Sequence, residues 1–355
     1  MEALAIMKAK KNTEQPDAEG AEVAQKTQKR NTNQEFDLEV RLNQSPEVVF
    51  NNSLIVISLS FLFFNFSSVF SASSAQLLRL LRPVFGISLC ASLFIATTAY
   101  SATPCTEFSQ KLPNVAAKLC QQAQLKDSGA RSVKGQPIYW QDLPKSDAKI
   151  RVLVVGGIHG DELSSASLAL HWLQLAKEIP ADAHWRFIPL LNPDGLLSSP
   201  ARRTNARGVD LNRNFPTPNW EREAKIYWEQ KVKKDPRRWP GPKPLSEPES
   251  RYLHEEMERF KPHLIVSIHA PYGVLDFDGP TVPPAKLGRL YLDQVGIFPG
   301  SLGNYGGVHK GMPVVTIELP SAFRTPLSSE MRQMWLDLNH WMDERLLRKS
   351  SAVKP

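Results

Sequence analysis

No Cys-x-x-Cys pair occurs in the 355 residues, and there are only three cysteines. That excludes a zinc site built from close-spaced thiolates. Long runs of Lys or Arg are also missing. The net charge of +7 is spread along the whole chain. So mild an excess gives no footprint for nucleic acid. It would suit an acidic polymer without selecting one. There are no internal repeats. Hydrophobic residues make up 42% of the chain, which allows one large domain with a full core, plus further segments at its ends.

Residues 1 to about 50 lack apolar periodicity and are rich in Lys, Glu, Gln and Asn, a composition that predicts disorder. Two uncharged apolar runs follow, Ser53–Phe70 and Val84–Tyr100. Arg79 and Arg82 precede the second, and Ala99-Tyr100-Ser101-Ala102 ends it. Basic flank, apolar centre and small-x-small end are the parts of a secretory signal peptide. Residues 76–102 are therefore expected to be a leader cleaved after Ala102, giving an exported, periplasmic protein. A leader begins a protein, so residues 1–75 are expected to lie upstream of the true start. The alternative is a membrane anchor at 53–70 or 84–100 facing the periplasm, since about 18 apolar residues is near the lower limit for a span.

Cys90 lies inside the second apolar run and would leave with the leader. Cys105 and Cys120 remain, an even pair in the segment 103–145. In an oxidising compartment they are expected to form a disulfide; two free thiols are the alternative.

From about residue 146 the pattern alternates between strand and helix. Lys149–Val155, Trp185–Leu191, Leu264–Ile268 and Val314–Leu319 read as strands. Leu163–Lys177 and Ser328–Arg348 read as helices. Ser246-Glu247-Pro248-Glu249 reads as a capping box that opens a helix running to about Lys261. Continuously apolar strands imply a sheet covered on both faces. His159, His269 and Glu318 each fall at or near the C-terminal end of a strand, the edge where open α/β sheets bind ligands.

The run Gly156-Gly157-Ile158-His159-Gly160-Asp161-Glu162 follows the first strand. By itself His-x-x-Glu is weak, since chance supplies about half of one such pair in a chain like this. The double glycine describes a tight loop, where a His and a Glu three apart can hold one metal ion from two sides. Further on come Asn192-Pro193-Asp194-Gly195 and Arg203-Thr204-Asn205-Ala206-Arg207-Gly208-Val209-Asp210-Leu211-Asn212-Arg213-Asn214-Phe215.

With these two segments, the lone His269 and the later Glu318, the sequence resembles the zinc metallocarboxypeptidase family of the carboxypeptidase A type. The family pattern is N-P-D-G, then R-x-N-x-x-G-x-D-L-N-R-N-F. Among the branches it looks most like the murein peptide amidases, on its H-G-D-E loop, Ser267-Ile268-His269-Ala270-Pro271 and Gly300-Ser301-Leu302-Gly303. The resemblance covers about residues 149–345. It implies a single α/β/α three-layer domain at 146–350, with a central mixed, mostly parallel twisted sheet.

The resemblance also implies roles. His159, Glu162 and His269 would hold one Zn2+, leaving a coordination position open as catalytic zinc sites do. Glu318 would be the general base; its alternative is a structural salt bridge. Arg203, favoured over Arg202 by its spacing to Asp210, would stabilise the oxyanion. Asn212 and Arg213 would grip a substrate carboxylate, and Asp210 would orient the first zinc histidine. His254, His263 and His340 read as ordinary surface or helix-boundary residues. The substrate would be a peptide with a free carboxylate, cell-wall derived, cut between D-glutamate and diaminopimelate.

Two positions depart from the family pattern. Tyr305 is the candidate for a mobile active-site tyrosine, but an ungapped match puts it one place off; the alternative is a loop aromatic covering the core. Asp161 stands where digestive members carry Arg. It, or Asp276 and Asp278, would face a cationic substrate group such as the spare ammonium of diaminopimelate; a turn-forming loop carboxylate is the alternative for Asp161. Trp220, Trp228 and Trp239 are expected to pack a long Pro- and Arg-rich loop onto the domain, or else to line a sugar-binding wall. Two rival functions remain: an N-acyl amino acid deacylase of the aspartoacylase and succinylglutamate desuccinylase type, which shares G-G-x-H-G-x-E and D-L-N-R, and a non-catalytic peptidoglycan-binding module.

Overall fold

The computed structural model describes residues 104–347. The expected leader, both apolar runs, the polar extension 1–75 and the last residues of 146–350 lie outside that range.

Strand β3 (Ile150–Val155) runs parallel to β4 (Ala183–Ile188) on one side and β5 (Leu264–His269) on the other. Strand β9 (Val314–Glu318) continues the parallel set beside β5. Antiparallel strands flank this core: β2 (Pro137–Leu143) with β1 (Lys126–Arg131) beyond it, and β6 (Val274–Asp278) against β9. The sheet order is β1-β2-β4-β3-β5-β9-β6. Two-residue strands β7 (Lys286–Leu287) and β8 (Leu290–Tyr291) form a separate ribbon.

The central strands are apolar throughout because both faces are covered. Val152, Val154, Val266, Ile268, Val315 and Ile317 share one core with Trp172 of α3 (Leu163–Glu178) and Trp335 of α7 (Ser328–Met342). Helices α1 (Pro104–Lys111) and α2 (Ala117–Ala123) join this core, linked by the Cys105–Cys120 disulfide. On the opposite face Leu153, Val155, Ile265 and Val314 meet Tyr252, Leu253, Met257 and Phe260 of α6 (Pro248–Phe260). Each fully buried Leu, Ile or Val contributes about 1.5–3 kcal/mol. Two short helices, α4 (Pro193–Leu197) and α5 (Trp220–Ile226), sit in the connections. The result is the expected three-layer α/β/α domain.

Three boundaries differ from expectation by more than two residues or in how they are capped. β4 ends at Ile188 because Pro189 has no N–H to continue the ladder. α7 stops at Met342 and a wide turn, Asp343–Leu347, follows. At α6 the N-cap is Glu247, not Ser246, and no side chain caps it. The Ser246 hydroxyl is bonded instead to Asn214 and Glu247, and Glu249 turns away to Val133 and Asn205.

Register decides which side chains share the α6 face at the far end of the sheet. His269 pairs with Glu318, which faces Val274 across the next strand. One row back, Ser267, Thr316 and Asp276 are aligned. Side chains two apart on a strand point the same way, so Asp278 joins this face beside Val314. An apolar face thus turns polar where three strands end.

Candidate metal centre and active site

The loop after β3 carries His159 and Glu162 over the end of the sheet. Its path is set by close backbone approach at Gly160: a Cβ there would lie 2.3 Å from Gly195 C and 2.6 Å from the Arg202 carbonyl oxygen. The Asn192 side chain accepts from Gly195 N–H at 2.9 Å and donates to the Arg203 carbonyl at 3.2 Å. Gly160 N–H donates to that same carbonyl. The N-P-D-G segment therefore sets Arg203 against the His159 loop.

His159 Nδ1, the Glu162 carboxylate and His269 Nδ1 converge, with donor atoms from all three within 4.8 Å of one another. His159 Nδ1 lies 2.8 Å from Glu162 Oε1, and His269 Nδ1 lies 3.1 Å from Oε2. The two imidazole nitrogens are 3.2 Å apart. Two nitrogens bound tetrahedrally to one zinc stand about 3.3 Å apart, given Zn–N of about 2.0–2.1 Å.

The donor chemistry points the same way. Asp210 is fully buried; burial opposes its charge, but Arg203 and His159 outweigh it and hold its carboxyl well below the usual range. An ionised carboxylate only accepts, so His159 Nε2 donates to Asp210 Oδ1 at 3.1 Å. In the neutral ring Nδ1 is then a lone pair, facing a carboxylate oxygen at 2.8 Å. Such a pair is stable only with a cation or a proton between them. The residues fit a zinc ion.

Arg203 donates from Nε to Asp210 Oδ2 at 3.1 Å and from Nη1 to Glu162 Oε1 at 3.2 Å. Burial works against its charge, but Asp210 and Glu162 raise its pKa further above the ordinary arginine value. Glu162 is likewise ionised: burial opposes this, and the two histidines overcome it. Ser267 Oγ lies 2.9 Å from His269 Nε2, fixing the second ring.

Glu318 is 7% exposed, and its Oε2 has no hydrogen-bond partner among the described residues. Burial, offset in part by His269, pushes its carboxyl up to about 7. It forms no ion pair among the described residues, so the structural salt bridge is not what the fold contains. Asn212 is held by its Oδ1 accepting from Leu302 N–H at 2.7 Å. Arg213 is buried beneath the Phe298 and Tyr227 rings, with centroids 4.5 and 5.5 Å from its guanidinium carbon. Its Nη1 donates to the Asn212 carbonyl, its Nε has no partner, and burial lowers its pKa.

The structure does not bring Tyr305 to this cluster. Its ring stacks on Phe215, with centroids 5.8 Å apart, and its hydroxyl is 2.8 Å from His254 Nδ1. It is the core-covering aromatic, and His254 is its partner. Asp161 already has a cation: Arg237 Nη2 donates to its Oδ2 at 2.8 Å. Arg237 comes from the long loop that showed no chemistry as sequence. That loop also supplies the Trp239 carbonyl, which accepts from Asp210 N–H at 2.8 Å. Trp220 is buried and bonds the Arg213 carbonyl, whereas Trp228 and Trp239 line a 590 Å³ cavity with Arg202, Arg203 and Arg237. The motif residues Asn205 and Asn214 are scaffold. Asn205 bonds Glu247 and Glu249, and Asn214 ties the Pro240 and Lys243 carbonyls to Ser250.

A sequence profile described as zinc carboxypeptidase matches residues 110–276. Murein peptide amidase A of Escherichia coli K12 is 30% identical over 230 residues, covering 62% of this chain and 91% of that protein. The Vibrio campbellii murein peptide amidase A is 31% identical over 215 residues, covering 58% and 81%. Among solved structures, carboxypeptidase A from Helicoverpa armigera aligns with a TM-score of 0.50 at 17% identity, covering 62% of this chain and 70% of that one, a likeness of fold.

Proposed function

This chain belongs to the zinc carboxypeptidase family and is a zinc-dependent hydrolase, and we propose that it is an exported murein peptide amidase cutting the bond between D-glutamate and diaminopimelate. The observation that carries the reading is Arg213, a buried guanidinium next to Asn212 that forms no ion pair among the described residues, whose Nε has no partner, and on which Asp210 acts only at longer range. A buried cation needs an anionic partner, and the free carboxylate of a terminal diaminopimelate supplies one. Likeness to murein peptide amidases along nearly their whole length supports that substrate. The expected leader and the Cys105–Cys120 disulfide support export to an oxidising compartment.

In this reading Asn212 and Arg213 fix the carboxylate, Arg because its planar fork binds two oxygens at once. His159, Glu162 and His269 would hold the zinc ion, which when bound would supply Lewis acidity toward a water and the scissile carbonyl. Glu318 takes the proton from the attacking water and passes it to the leaving amine. Arg203 donates to the carbonyl oxygen as negative charge develops there. Asp210 keeps His159 in the tautomer that presents Nδ1.

The test is the purified protein with zinc and L-Ala-γ-D-Glu-diaminopimelate, read by mass spectrometry. Free diaminopimelate is expected. Release only of ordinary C-terminal amino acids from α-linked peptides would make it a general carboxypeptidase. Cleavage only of N-acyl amino acids would make it a deacylase, and no hydrolysis of any of these would leave the binding module.

A further inference from the structure

The 590 Å³ cavity lies between the segment 200–208 and the loop that carries Arg237. Arg203 lines it and also bonds Glu162 and Asp210, so the cavity borders the reaction centre. Neither Asn212 nor Arg213 belongs to its wall. A substrate whose carboxylate meets Arg213 and whose scissile carbonyl meets Arg203 has only its acyl portion left to fill this space.

Charge in the wall is of one sign. Arg202, Arg203 and Arg237 line the cavity, and no Asp, Glu, Asn or Gln of the described chain does. Arg203 is neutralised by Asp210 and Glu162. Arg237 donates to Asp161 from Nη2, and none of its other side-chain N–H groups is bonded among the described residues. Arg202 is exposed and forms no ion pair among the described residues, although its backbone is fixed by donating to the Gly195 carbonyl at 2.8 Å. Trp228 and Trp239 supply apolar surface. The Trp228 indole N–H is used on the Asp235 carbonyl at 2.9 Å, so that ring offers the cavity its carbon face. A sugar needs side-chain acceptors for its hydroxyls, and Thr204 is the one such group in the wall. A carboxylate only accepts, and it suits a wall of guanidinium donors.

We infer that this cavity is the acyl-side binding site and selects an acidic residue there, with Arg202 and Arg237 holding its carboxylate and Trp228 and Trp239 covering its carbon chain. Naming that residue as γ-linked D-glutamate rests on the amidase reading; the preference for a carboxylate does not. In a γ-linked glutamate the free α-carboxylate lies as many bonds from the scissile carbonyl as the side-chain carboxylate does in an α-linked one. Either linkage can therefore bring an anion to Arg202. The corresponding carboxamide keeps the shape and loses the charge.

The test compares kcat/KM within two pairs of peptides that end in diaminopimelate. One pair carries γ-linked D-glutamate or its α-amide, D-isoglutamine, and the other α-linked glutamate or glutamine. In the pair that is cut, the wild type is expected to favour the carboxylate by about three- to tenfold, the range for a charged hydrogen bond at a half-exposed site. The difference should lie in KM, and added salt should shrink it. Arg202→Gln and Arg237→Gln should each lower the ratio, and the double variant should bring it near one. Each ratio is taken within one protein, so a poorly folding variant lowers both members alike. A ratio near one in the wild type, or a ratio retained in the double variant, overturns the site. If the γ-D-glutamyl bond is left intact while the α-linked ratio falls in the double variant, the amidase reading fails and the site stands. If the γ-D-glutamyl bond is cut and its amide is cut equally well, the amidase reading stands and the site fails.

Discussion

His159 Nε2 donates to Asp210 Oδ1 at 3.1 Å, and that bond decides which nitrogen of His159 is left for a metal. Asp210 is itself held ionised by Arg203, so the tautomer is set by a chain of charges fixed before zinc arrives. Asp210→Asn keeps the shape but can turn a donor toward Nε2, which would place the proton on Nδ1. Zinc affinity, read by competition with a chelator, should fall about 10- to 100-fold. Unchanged affinity with unchanged folding would mean that Asp210 serves only Arg203.

His159 and Glu162 were legible because three residues on a loop after an apolar strand leave little freedom in where they end. His269 and Glu318 were legible because a continuously apolar strand predicts its own C-terminal edge. Neither case needs knowledge of distant contacts. Tyr305 was misplaced because a loop has no periodicity to fix its register, and its true neighbours, Phe215 and His254, come from elsewhere in the chain. Asp161 meets Arg237 across 76 positions, a pairing that no local pattern encodes. Ser246 failed as a cap because its hydroxyl is used by Asn214 and Glu247. The unpaired state of Asp278 is the least legible of all, since it depends on which cations fail to reach it.

Glu318 sets a pH limit on the reaction. Burial raises its carboxyl to about 7 in the metal-free protein. A base must be ionised, so activity is lost as pH falls through its pKa. A cation held by His269 and its partners favours the ionised form. The acid limb of kcat/KM in the zinc enzyme should therefore lie below pH 7, not above it. Glu318→Gln should remove that limb and lower kcat by about 10²- to 10⁴-fold, with zinc content unchanged by metal analysis. Near wild-type turnover in this variant would require a different base.

The Asp161–Arg237 pair ties the metal loop to the long loop. Arg237 is 60% exposed, so water screens the pair. Asp161→Ala should cost on the order of 0.2–1 kcal/mol, a shift of at most about 4 °C in Tm for a domain of this size. The ratio of activities toward lysine- and norleucine-ending peptides should not move. A fall in that ratio would place Asp161, whose Oδ1 has no hydrogen-bond partner among the described residues, against a cationic group of the substrate.

Asp278 bears on the stability of the fold. Its carboxyl rises from an ordinary 3.8 to about 6 on folding. A group with a raised folded pKa favours the folded state fully below its unfolded pKa. That advantage is lost as pH rises through the folded value, so the window runs from about pH 4 to about pH 6. Above it the protein carries a buried charge without a partner. Asp278→Asn has no such titration. Relative to the variant, the wild type should lose on the order of 1–2 kcal/mol between pH 4 and pH 7, after allowance for partial solvation. Thermal melts of both proteins across that range should diverge, with the variant the more stable at neutral pH. Parallel curves would show that Asp278 has a partner in solution.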